Sequence, residues 1–164
     1  MGTDIHVFTE LKTPKGCWIN CNPFTFNADG VLEMRYSYDL RDYDCFDFLQ
    51  ALEEHDLPHD LTKATTEKIE AYGGAGYGHN CFSFKELWRV WKDQELEDLL
   101  TLTNDRGVSE FVSRLYICFI ENLYKYGEYQ YSIPLTGSTW DLAEAEDLVE
   151  RDGDRFRIII FFDC

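Results

Sequence analysis

The stretch 155-RFRIIIFFDC-164 decides the fold. Between Phe156 and Phe162 only Arg157 interrupts the apolar side chains. A near-continuous apolar run of this kind reads as a strand, placed centrally in a sheet or beside the first strand. The other end of the chain supplies that first strand in 3-TDIHVFTEL-11. The turn 12-KTPKG-16, punctuated by Pro14 and Gly16, leads into 17-CWINC-21, which reads as the second strand of a hairpin. A further turn follows at Asp29-Gly30.

The middle of the chain is helical in pattern. Phe46, Phe48, Leu49 and Leu52 give helical spacing, with Asp42 as N-cap, and "LPHDLT" breaks that helix. A short helix is expected over Thr65–Tyr72, stopped by Gly73-Gly74. The stretch 73-GGAGYGHN-80 reads as a loop. Ser83-x-x-Glu86 has the capping-box pattern and opens the next helix. Residues 109–125 carry the clearest stripe, with Phe111, Leu115, Phe119 and Leu123 four apart. One more short helix is expected in 136-TGSTWDLAEAEDLVE-150. The simplest layering is α+β in one domain over residues 1–164: a small, mostly antiparallel sheet of N-terminal hairpin and C-terminal strand, with helices packed on one face.

Composition narrows the function. The chain has 164 residues, 45% hydrophobic and 16% aromatic, enough for a core of its own. Its formal charge of −16 repels nucleic-acid phosphates, so direct nucleic-acid binding is not expected, while a blocking surface that mimics nucleic acid against a basic protein is compatible with it. No stretch approaches the ~18 consecutive apolar residues of a membrane span. With no leader-type segment evident, a cytoplasmic protein is expected. The six cysteines read as reduced thiols, and no second pair follows Cys17 and Cys21 at zinc-finger spacing.

Four places could carry chemistry. Asp4 and His6 sit two apart, on one face of a strand, and could bind a divalent metal or work as an acid–base pair. The plainer reading is that Asp4 only holds His6 at a sheet edge. The glycines at 73, 74, 76 and 78 free the backbone to approach a ligand, and His79, Asn80 and Ser83 lie at the N-terminus of a capped helix, where free N–H groups suit an anion. A flexible helix–helix connector explains the same residues. Arg41 and Tyr43 at the start of a helix suit a phosphate and a base, or simply pair with the abundant acids. Asp163 either emerges into solvent or brings a second carboxylate near Asp4. His55 and His59 flank Pro58, which argues against a helix, and read as exposed loop residues.

Several of these segments together resemble a family of small proteins, of unknown function, encoded by tailed bacteriophages and prophages, whose members open Met-Gly-Cys-Asp-Ile-His. Here the opening is MGTDIH, with Thr3 for the cysteine. "RDYDCFDFL", "HDLPHDL", "HNCFSFKEL" and the closing "RFRIIIFFDC" follow in the family's order, though the loop before His79 is glycine-rich where members more often show an aspartate. The resemblance implies a cytoplasmic accessory protein of an infected bacterium, such as a counter-defence factor. It also implies that Asp4, His6, Arg41, Tyr43, His79 and Asp163 belong to one polar pocket on the sheet.

The favoured reading is a protein that binds and sequesters a small nucleotide-type ligand through Asp4, His6, Arg41, Tyr43, His79, Asn80, Ser83 and Asp163. The alternative is a metal-dependent phosphoester hydrolase acting on a nucleotide signal, with Asp4, His6, His79 and Asp163 as ligands of a divalent metal. The third is an acidic protein that inhibits a host protein through its surface. A homo-oligomer is compatible with the aromatic content.

Overall fold

The structure, a computed structural model, describes residues 4–21, 24–26, 32–34, 37–38, 43–95, 106–126 and 142–163. Strands β1 (Asp4–Lys12) and β7 (Phe156–Asp163) run antiparallel along their length, Asp4 opposite Asp163 and Leu11 opposite Phe156. The apolar last strand is therefore both central and beside the first. Its other edge pairs with β6 (Tyr77–Ser83). The far edge of β1 takes β2 (Trp18–Asn20) at its Glu10–Lys12 end and β5 (Ser37–Tyr38) at Ile5–His6. The order is β2-β1-β7-β6, and all these pairings are antiparallel. β3 (Phe24–Phe26) and β4 (Leu32–Met34) form a separate two-stranded ribbon. The turn expected between them at Asp29-Gly30, and the Asp42 cap, lie outside the described residues.

Alternation along the strands sends two sets of side chains to two faces. Ile5, Val7 and Leu11 of β1 and Phe156, Ile158, Ile160 and Phe162 of β7 face the main core. That face is covered by α1 (Tyr43–Gln50), α3 (Phe84–Glu95), α4 (Arg106–Lys125) and α5 (Leu142–Asp152). The α4 stripe lands there as its spacing requires. Phe119, fully buried, stacks on Phe156 at 5.2 Å and meets Phe84 edge-on at 5.5 Å. Burying a side chain of this size is worth roughly 1.5–3 kcal/mol. The expected α+β layering is present. The short α2 (Lys63–Ala71) crosses the opposite face, with Ile69 and Tyr72 against Phe8, Ile159 and Phe161. Among the described residues no helix is long and apolar enough to cross a membrane, and no disulfide joins the cysteines.

Two local readings change. The second half of the stretch expected to be a glycine loop is strand: after a 3-10 turn at Gly73–Ala75, β6 begins at Tyr77. Gly76 and Gly78 serve close packing against β7. A Cβ on Gly76 would lie 2.8 Å from the Phe161 ring, and one on Gly78 would lie 2.7 Å from Phe162. Gly78 also has φ +65°, which L side chains rarely adopt. The capping box is half made. Ser83 Oγ accepts the Glu86 N–H at 3.1 Å, but the Glu86 carboxylate turns to His55 instead of back to the cap.

Candidate functional site

The second face of the sheet carries the polar chemistry. Cross-strand register aligns His6 with Phe161, Phe8 with Ile159 and Glu10 with Arg157. His79 and Cys81 flank the same row from β6. An apolar patch of Phe8, Ile159 and Phe161 separates two polar ends.

The Glu10 end is a closed network. Glu10 is fully buried. Its Oε1 accepts from Arg157 Nε and Nη2 at 2.9 and 2.7 Å. Its Oε2 accepts from the Thr62 N–H, the Thr62 hydroxyl and the Thr65 hydroxyl. Thr62 is the N-cap of α2, so this carboxylate anchors the positive end of a helix dipole to the sheet. Arg157 also bonds the Asp60 side chain and carbonyl and lies over Trp18, 3.7 Å from the ring centre. The guanidinium beside Asp60 holds that carboxyl below its usual range. This end missed notice in the sequence. The signal was there: a charge inside an apolar strand requires a buried partner.

The other end is open in its bonding. His6 is 4% exposed, between Ser37 of β5 and Phe161 of β7. Its Nε2 lies 3.2 Å from Asp163 Oδ2. Its ring stacks on Phe161 at 4.6 Å and meets Tyr72 at 4.4 Å. Its Nδ1 is buried and has no hydrogen-bond partner among the described residues. If Nε2–H donates to the carboxylate, Nδ1 is left as an acceptor or base, the arrangement in which a carboxylate orients a working imidazole. His79 stacks on Phe161 from the β6 side, at 5.1 Å. Burial lowers its proton affinity below the ordinary histidine range. Burial also raises the Cys81 thiol to about 11, leaving it a poor nucleophile near neutral pH.

Of the residues singled out from sequence, the structure gathers His6, His79 and Asp163 at this end, with the backbone of Asp4 opposite Asp163. Tyr72 joins them and was not singled out. Asn80 points away from His79: its side chain accepts from the His55 and Cys81 N–H groups and donates to the Glu53 carbonyl. Ser83 serves as the cap of α3. Only the backbone of Tyr43 is described, as the first residue of α1, and Arg41 lies outside the described residues. His55 is a loop residue, but it is partnered, with Nε2 2.9 Å from Glu86 Oε1, and that bond raises its proton affinity.

As a metal site the gathered set is poorly arranged. β1 and β6 flank β7, so Phe161 stands between the two imidazoles. Among the described residues His6, His79 and Asp163 do not converge on a point where one ion could meet all three. Comparison with protein-family models, with curated proteins and with solved structures returns no match to this chain.

Proposed function

We propose that the chain is a binding protein that holds a small nucleotide-type molecule at the His6 end of the second sheet face and releases it unchanged. The observation that carries this reading is the buried, unpartnered Nδ1 of His6. A buried polar atom without a partner calls for an explanation. A ligand N–H or amino group donating to Nδ1 supplies one, and nucleobase edges carry such donors. Tyr72 and His79 offer flat rings of the kind on which bases stack, worth roughly 1–3 kcal/mol per base. Asp163 fixes the imidazole for that contact. The separation of His6 from His79 by Phe161 favours binding over metal-assisted hydrolysis. In an accessory protein of the phage type that the sequence resembles, such a pocket would sequester a nucleotide signal of the host.

The test is native mass spectrometry of freshly purified protein, followed by calorimetric titration with mono-, di- and cyclic nucleotides. His6→Leu keeps the ring's apolar contacts and removes its nitrogens. The expected result is a retained or titratable nucleotide, recovered intact, whose binding His6→Leu abolishes while the protein stays folded. Failure of the whole panel to bind, or equal binding by the variant, overturns the reading. The charge of −16 favours one competitor, a blocking surface. That surface would keep its partner in His6→Leu and lose it on charge reversal.

A further inference from the structure

Away from the His6 end, three metal-ready side chains meet beyond the edge of the sheet. Glu53 and His55 come from the segment between α1 and α2, and Glu86 from the first turn of α3. Their ligand atoms all lie within 4.8 Å of one another, with His55 Nε2 2.9 Å from Glu86 Oε1. We propose that Glu53, His55 and Glu86 form a binding site for one divalent transition-metal cation. An ion about 2.0–2.2 Å from each donor needs the donors no more than roughly 4.4 Å apart, which small side-chain rotations here provide.

Two further observations support the site. The backbone beneath it is pre-set. Asn80, itself buried, accepts the His55 N–H at 2.8 Å and donates to the Glu53 carbonyl at 3.0 Å. One amide thereby fixes two ligand-bearing residues against β6, and the Ser83 cap fixes the third. Among the described residues, His55 is the one ionisable partner of Glu86, and no fixed cation joins the site. Lys85 next door turns to Glu150 and Asp154. One imidazole with two carboxylates suits Mn²⁺, Fe²⁺ or Zn²⁺ better than Mg²⁺ or Ca²⁺, which prefer oxygen alone. An ion held here would have water or a small ligand completing its coordination.

The experiment uses chelator-treated, dialysed full-length protein, titrated separately with Zn²⁺ and Mn²⁺ by calorimetry, with the Mn²⁺ electron paramagnetic resonance spectrum as a second readout. One equivalent per chain is expected. His55→Ala and Glu86→Gln should each weaken binding by at least ~10-fold, the lower end of what the outer partners of a metal site already cost. His6→Leu should leave it unchanged, which separates this site from the one near Asp163. Circular dichroism verifies that each variant is folded. The absence of saturable uptake, uptake indifferent to both ligand substitutions, or uptake lost in His6→Leu overturns the proposal.

Discussion

The two ends of the second sheet face hold similar groups to opposite effect. At the Glu10 end both oxygens of a buried carboxylate are occupied by Arg157, Thr62 and Thr65. At the His6 end one hydrogen bond to Asp163 leaves Nδ1 without a partner among the described residues. The central strands β1 and β7 and the covering helix α2 are shared, while the flanking strand and the end of α2 that each meets differ. A closed network fixes structure, and an incomplete one leaves a place for something from outside. The first should therefore govern stability and the second binding.

The largest effect tests the closed end. Arg157→Met strands Glu10 in the interior without its counter-charge and should cost about 3–5 kcal/mol, read from denaturant unfolding. The double variant Glu10→Met/Arg157→Met should recover part of this loss, because two apolar groups are cheaper to bury than one unpaired charge. A cost below about 1 kcal/mol for the single change would mean that this end is not held by its ions, and the contrast would fail.

Next in size is Gly76→Ala. The added methyl meets the Phe161 ring at 2.8 Å, and Phe161 is itself fully buried between His6 and His79. Overpacking of this kind costs roughly 1–3 kcal/mol. It should also weaken nucleotide binding, because the displaced ring carries both imidazoles. Unchanged binding at reduced stability would detach the glycines from the site.

These glycines show what the sequence allowed to be read. The first and last strands, the α4 stripe and the Ser83 cap announce themselves by local rules: alternation or a near-continuous apolar run, four-residue spacing, and a hydroxyl three residues before the N–H it accepts. That Asp163 could come near Asp4 followed once both ends of the chain were given strand character, though His6 as its partner did not. Strand β6 did not, because its glycines satisfy Phe161 and Phe162, contacts made across about eighty residues of chain. The Glu10–Arg157 pair and the Glu53–His55–Glu86 group are hidden for the same reason, since each joins segments that only the folded sheet brings together.

Asp163→Asn separates the two ends more finely. The pair it breaks is partly exposed on the Asp163 side, where such pairs contribute about 0–1 kcal/mol. Stability should hardly move. Ligand affinity should fall about tenfold or more, the size of one lost orienting contact of ~1.4 kcal/mol, because the amide no longer dictates which imidazole nitrogen carries the proton. A large stability loss with binding intact would reverse the roles assigned to the two ends.

The smallest effect concerns protons at His79. Burial against Phe161 places its folded pKa below the ordinary value of 6.5. The unfolded chain therefore binds more protons at this residue than the folded one as the pH falls. The stability tied to a neutral His79 is complete above 6.5 and is lost as the pH drops through that value toward the folded pKa. His55 works in the other direction: its bond to Glu86 raises its folded pKa, so its contribution is present below 6.5 and fades as the pH rises through the raised value. A bulk stability curve mixes these slopes. The discriminating measurement is a histidine-resolved NMR titration, with His79→Gln to assign the signal and to remove its part of the acid-side loss. His79 should titrate below the ordinary range and His55 above it. If His79 titrated at or above 6.5, its ring would be solvated or facing a carboxylate, and the dry, stacked surface on which the nucleotide reading depends would not exist.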